Sequence, residues 1–224
     1  MPVLLFKLNE HLYLRDPQRT ELGQQIIRKS VEMIAQLGFE QFTFKKLAEE
    51  IESTEASIYR YFENKHRLLH YLISWYWSWL EYKVDLALIN LKSPYEKLKA
   101  CLRTVTEEKK YDPTFEAFDE EALYRIVVDE LDKTYLTKRV KDDNEAGLFG
   151  SFKSLCKKIA GIVTEINPDY EFPNALVSTF LLAAKQQYFF SSHLPSLTNI
   201  KQDKLIHAKL YEFLETMMLN TIKK

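Results

Sequence analysis

Glycine and proline are scarce in this chain, with 5 and 7 among 224 residues. That scarcity excludes collagen-like and low-complexity organisation, and with 46% hydrophobic residues it predicts a packed, helix-rich protein. Cysteine is nearly absent: Cys101 and Cys156 stand far apart inside predicted helices with no metal-ligand spacing, which fits buried free thiols in a reducing compartment. An excess of either charge is also missing. The net charge of -1 does not advertise a nucleic-acid partner, so any such case must rest on where the charges sit. Uninterrupted hydrophobic runs are lacking too. The most apolar long stretch, 68–91, is broken by His70, Glu81, Lys83 and Asp85, and no membrane span is expected. The opening ten residues place Lys7 after their apolar patch and lack a small-residue cleavage site, unlike a signal peptide. No nucleophile elbow, phosphate loop, dinucleotide fingerprint or paired His-Glu zinc motif occurs. We therefore expect no catalytic residue, no metal site and no cofactor. His66 and His70 share a helix face four residues apart but have no obvious third ligand, and read as surface or interface residues.

What is present is concentrated between Gly38 and Leu68, where two short helical patterns flank a break at Glu52 and Ser53. Thr43 is a good N-cap for a helix with Phe44, Leu47, Ala48 and Ile51 on its apolar face and Lys45, Lys46, Glu49 and Glu50 on the other. Thr54 is a second N-cap, its hydroxyl placed to accept from the amide of Ala56 or Ser57. The next helix keeps Ile58 and Phe62 for the core and turns Glu55, Ser57, Tyr59, Arg60 and Tyr61 elsewhere. Polar groups at the front of a short second helix are what major-groove reading requires. Asn64 caps a third helix that opens with Lys65.

At these residues the chain resembles the tetracycline-repressor-like (TetR) family of transcriptional regulators. The likeness is carried by Gly38, Thr43, Leu47-Ala48, Thr54, Ser57 through Phe62, Lys65 and Leu68, over about the first third of the chain. The chain departs from the family at four places: Glu52 stands where Gly is usual at the turn, Ser53 where a small apolar residue follows, Ala56 where Gly is frequent, and Phe44 where a second Thr is. A non-Gly residue in left-handed backbone costs about 1 kcal/mol, which loosens the likeness without breaking it.

Around this stretch the pattern is helical. Residues 1–16 form an arm with Leu4, Leu5, Phe6, Leu8 and Leu12, poor in basic residues and expected to pack rather than touch DNA. Pro17 is placed to open a first helix with Ile26, Ile27, Val31 and Ile34 inward, stopped at Gly38. From Lys65 a long helix is predicted to about Leu91; its crowd of aromatics from Trp75 to Tyr82 exceeds one inward stripe. Ser93-Pro94-Tyr95-Glu96 is a capping box, 109–118 a loop, 123–131 a helix and 141–146 a charged turn. Helices over 146–166, 172–193 and 199–222 complete the chain.

The expectation is an all-α protein: a three-helix helix-turn-helix DNA-binding domain over 1–64, joined to a larger helical domain over 65–224 for effector binding and dimerisation. The resemblance implies a ligand-responsive transcriptional regulator in the cytoplasm, a homodimer through its last two helices, whose recognition helices enter double-stranded operator DNA. A buried monomer core would explain the same breadth of apolar surface in those helices. Phosphate positioning would fall to Thr43, Tyr59, Tyr61 and Lys65, with Thr54 at the cap and Lys45 and Lys46 nearby. Base reading would fall to Glu55, Ser57 and Arg60; Glu55 reads equally as a carboxylate favouring the helix dipole. A small apolar or aromatic effector would release a repressor by moving the long helix, with Trp75, Tyr76, Trp79, Tyr124, Phe149, Phe189 and His193 as pocket candidates. Two alternatives stand beside this: a helical interaction protein that has lost operator binding, and an all-α enzyme.

Overall fold

The computed structural model describes residues 6–110 and 119–223, and the described residues form α-helices and short 3-10 turns with no strand. Two compact units arise, Met1–Ser78 with Lys109–Ser151, and Trp79–Glu108 with Phe152–Lys224. The expected split at residue 64 is functional and is not decided by this packing.

In the first unit, α1 (Glu21–Leu37) is capped by Thr20, whose hydroxyl accepts from the Gly23 amide at 3.1 Å. Pro17 thus opens a 3-10 turn (Pro17–Arg19) rather than the helix itself, because Thr20 is extended and resets the chain. Gly23 permits this corner: a Cβ there would lie 2.4 Å from the Pro17 carbonyl oxygen. The expected inward positions Ile26, Ile27, Val31 and Ile34 are buried, and Gly38 ends the helix at φ 77° with its amide on the Ile34 carbonyl.

The next three helices are α2 (Phe44–Glu50), α3 (Glu55–Tyr59) and α4 (Lys65–Leu88). Leu47, Ile58, Phe62, Leu68 and Leu69, on or next to these helices, are fully buried, each worth about 1.5–3 kcal/mol of transfer free energy. The described part of the arm packs: Gln18 exchanges two hydrogen bonds with the Phe6 backbone, and Leu8 and Leu12 are buried. Leu4 and Leu5 lie outside the described residues, as does the segment 111–118 with its Pro113. On α4, Trp75, Tyr76, Trp77 and Trp79 are all buried.

Past α5 (Pro94–Thr106), whose Ser93 cap is as expected, come α6 (Glu120–Glu130) and α7 (Asp132–Tyr135). The expected turn at 141–146 is instead a short helix, α8 (Val140–Glu145), with Asp142 and Asp143 in its first turn and Gly147 at φ 78° beyond its end. Consequently α9 (Gly150–Ile166) starts later than expected.

In the second unit α10 (Pro173–His193) and α11 (Ile206–Ile222) pack on α5 and on each other. The last helix begins at Ile206 rather than near Asn199, because Thr198 and Asp203 bond the amides of Ile200 and Leu205 and hold the intervening chain in turns. Asn167 donates to the Ile222 carbonyl at 3.1 Å, satisfying the end of α11. Cys101 and Cys156 are free and buried, and burial pushes their thiols up to about 12 and about 11. Among the described residues no helix is long and apolar enough to cross a membrane.

Candidate nucleic-acid interface

Two caps fix the geometry of the α2–α3 pair. Thr43 accepts from the Lys46 amide and Thr54 from the Ser57 amide, each at 3.2 Å, while the Thr54 and Ser57 hydroxyls share a 2.9 Å bond. Between the helices Glu52 adopts φ 50°, the left-handed turn that the sequence required of a non-glycine residue. Behind α3, Ile58 and Phe62 are fully buried. In front, Thr54, Glu55, Tyr59 and Arg60 are exposed and Ser57 is half-buried. The Tyr59 ring stands edge-on against Phe44 at 5.0 Å and leaves 48% of the residue exposed. Phe44, the departure from the family pattern, thus supports Tyr59 from the core side.

Among the expected cations, Lys45 and Arg60 are exposed and make no hydrogen bond or ion pair among the described residues. Lys46 is exposed with its ammonium on the Gln41 carbonyl at 3.0 Å. Lys29 bridges Glu32 and Glu50 at 2.9 and 3.0 Å, drawing one acidic side chain of α2 into a local pair.

Two expected phosphate contacts sit differently. Tyr61 is only 2% exposed and its hydroxyl shares a 2.8 Å hydrogen bond with Thr20, because the α3 C-terminus turns that ring back against the start of α1. Lys65 is spent internally: its ammonium donates to the carbonyls of Phe39, Glu40 and Phe42 at 3.0, 3.2 and 3.1 Å and lies 4.6 Å from the Phe39 ring centroid. All three of its donors are used, so it clips the corner between α1 and α2 to the first turn of α4.

The expected pocket residues separate by unit. In the first, Trp75, Tyr76 and Tyr124 are buried, Tyr76 and Tyr124 stack at 6.0 Å, and Phe149 is half-buried against His70. In the second, Trp79 is buried, while Phe189 and the exposed His193 face each other at 4.7 Å. His66 is exposed against the Phe39 ring, whereas His70 is buried beside Asp143 at 3.8 Å. Burial pushes the His70 imidazole down to about 4 against the pull of Asp143, so the ring is neutral at physiological pH.

Sequence reasoning missed a hollow of about 210 Å³ in the first unit, lined by the first turns of α4 and by residues between Lys133 and Asp143. Its signal was faint: two histidines four apart, and basic residues some seventy positions away whose proximity only the fold reveals.

These features define an all-helical protein carrying a helix-turn-helix of the DNA-reading kind. Residues 26–72 match the family described as "Bacterial regulatory proteins, tetR family", so the helix-turn-helix segment of this chain is similar to the domain that defines that family. Similar solved structures share the fold over nearly their whole length. AibR in complex with isovaleryl coenzyme A and operator DNA is 16% identical, with 87% of this chain and 97% of that chain covered at a TM-score of 0.59. The ketosteroid transcriptional regulator KstR2 of Mycobacterium tuberculosis is 16% identical over 92% and 96%, at 0.55. The fatty acid degradation regulator FadR from Bacillus halodurans is 17% identical over 87% and 93%, at 0.61. No curated protein sequence matches the chain.

Proposed function

We propose that the protein is a ligand-responsive DNA-binding transcriptional regulator, a homodimer that represses by placing one α3 in each half of a pseudo-palindromic operator. One observation carries this: a short helix braced from behind by Ile58 and Phe62 that presents Thr54, Glu55, Ser57, Tyr59 and Arg60 at its front. Arg60 has the fork for guanine, Glu55 can accept from cytosine, and Thr43, Lys45, Lys46 and Tyr59 supply phosphate positioning. The likeness to AibR, solved with an acyl coenzyme A and operator DNA, supports the coupling of effector to operator. Domain 1–64 serves DNA and 65–224 serves effector and partner, with a chromosome in the cytoplasm as the place of action.

The dimer is assigned to α10 and α11. On α11 the sequence's broad apolar face divides: Ile206, Leu210, Leu214 and Met218 are buried within the subunit, while Phe213 is 43% exposed and lines a groove with the exposed Leu197. Apolar side chains left over after the core is filled favour a partner. The effector is apolar or aromatic by likeness to the family, with Trp75, Tyr76, Tyr124 and Phe149 as the candidate contacts in the first unit and Trp79, Phe189 and His193 as those in the second. Such an effector shifts operator affinity only by its difference in affinity for two positions of α4.

Exposed Glu49, Glu50, Glu52 and Glu55 beside Lys45 and Arg60 favour the second reading, a helical interaction protein that no longer binds an operator. Gel shift of the full chain on its own promoter DNA across salt concentrations separates the two. Retardation that weakens steeply with salt supports the regulator; no shift at the lowest salt supports the interaction protein.

A further inference from the structure

We propose that the hollow beside the first turns of α4 binds a phosphoryl group, and that its occupancy loosens the grip of the α6–α7 corner on the helix-turn-helix. The binding claim stands by itself; the regulatory claim rests on the DNA-binding reading above.

The lining groups argue for an anion. Arg67, Lys133 and Arg139 bring three cations to a space of about 210 Å³, and Asp143 is the single carboxylate among the lining residues. Asp143 is committed to orienting Arg67, with its Oδ1 2.9 Å from Nη1 in a largely buried pair. Arg139 is exposed and makes no ion pair among the described residues. The Thr137 hydroxyl, also lining the space, is buried and makes no hydrogen bond. A buried hydroxyl without a partner is a donor awaiting an acceptor. Neutral His70 adds hydrogen-bonding capacity without charge. Arg67 is balanced by Asp143 and Lys133 by Glu40 and Glu130, so Arg139 supplies the uncompensated positive charge, and guanidinium forks suit phosphate oxygens. The volume holds roughly seven waters, room for a phosphate and part of its hydration.

Lys133 links the hollow to the helix-turn-helix. Its ammonium is shared between Glu40 at 2.9 Å and Glu130 at 2.7 Å, and Glu130 Oε1 accepts the Phe39 amide at 2.9 Å. Glu40 and Phe39 belong to the corner that leads into α2. The Glu40 carboxylate is 76% exposed, so its pairing with Lys133 is weak and yields to a dianion at close range. Drawing Lys133 towards the hollow therefore frees Glu40 and slackens the corner.

The test uses the full chain with inorganic phosphate, against chloride at matched ionic strength. Phosphate should raise Tm saturably, by about 3–5 °C at tenfold the dissociation constant. Arg139→Gln and Thr137→Val should fold normally and lose that rise. A phosphate monoester run in parallel tells the free ion from a phosphorylated metabolite, and a saturable rise with either supports the site. An equal rise in chloride, or variants that respond as wild type, overturns it. Hydrogen exchange at residues 39–42 should quicken with phosphate in wild type and not in Arg139→Gln; unchanged or slower exchange overturns the coupling. Promoter binding measured without phosphate judges the proposed function separately, so that DNA binding with no phosphate response sinks this inference alone.

Discussion

Replacing Lys65 by Met keeps the apolar stem and removes the ammonium. Three carbonyls, those of Phe39, Glu40 and Phe42, lose their shared donor together, and the corner between α1 and α2 loses its attachment to α4. Charge-assisted hydrogen bonds are stronger than neutral ones, but these are partly exposed, so each contributes somewhat under 1 kcal/mol net. The sum is about 2 kcal/mol. For a chain of this length that lowers Tm by about 4–8 °C. Lys65→Arg should restore only part of the loss, since a planar fork cannot converge on three carbonyls as a tetrahedral ammonium does. Calorimetric melting of the three proteins, paired with DNA affinity against salt, distinguishes clip from phosphate contact. An unchanged Tm in Lys65→Met, with the salt slope reduced by about one, would refute the internal role.

Three further perturbations follow from local geometry. Gly23→Ala should lower stability by about 2 kcal/mol in denaturant titration, because its Cβ meets Pro17 backbone at 2.4 Å; an Ala that stabilises contradicts the tight corner. Glu52→Gly should raise stability by about 1 kcal/mol by relieving φ 50°, and no gain in the same titration argues against strain there. His70 has a folded pKa of about 4, below its ordinary 6.5, so the unfolded chain takes up the proton first. Its contribution is complete above about pH 6.5 and is lost as pH falls towards 4, by at most about 3 kcal/mol. The stability difference between wild type and His70→Gln should change across that window, and a flat difference excludes a buried neutral ring.

Local signals in the sequence were strong where capping and backbone chemistry decide the structure. Thr43, Thr54, Asn64 and Ser93 each carry a side-chain oxygen suited to an N-cap, and each accepts the expected amide. Gly38 and Glu52 were readable for the same reason, since positive φ is forced by the turn itself. Three-four periodicity likewise gave the inward face of α1. What failed depended on partners distant in the chain. Tyr61 and Lys65 look like phosphate contacts because they are polar and near the motif, yet Thr20 and the carbonyls of residues 39–42 claim them. Residues 141–146 read as a turn by charge density, and the same acidic residues instead favour the start of α8. The cationic hollow joins Arg67 to Asp143 across seventy-six positions, a distance over which no periodicity speaks.

The central claim is that the exposed front of α3 reads DNA. Fluorescence anisotropy of the full chain on its own promoter fragment, over a salt series, tests it against Arg60→Ala and Tyr59→Phe, substitutions that leave Ile58 and Phe62 buried. The account predicts steeply salt-dependent binding, with Arg60→Ala losing about 1–3 kcal/mol of preference for the promoter over unrelated duplex and Tyr59→Phe weakening both alike. Binding that neither substitution alters, or no binding at the lowest salt, would contradict it.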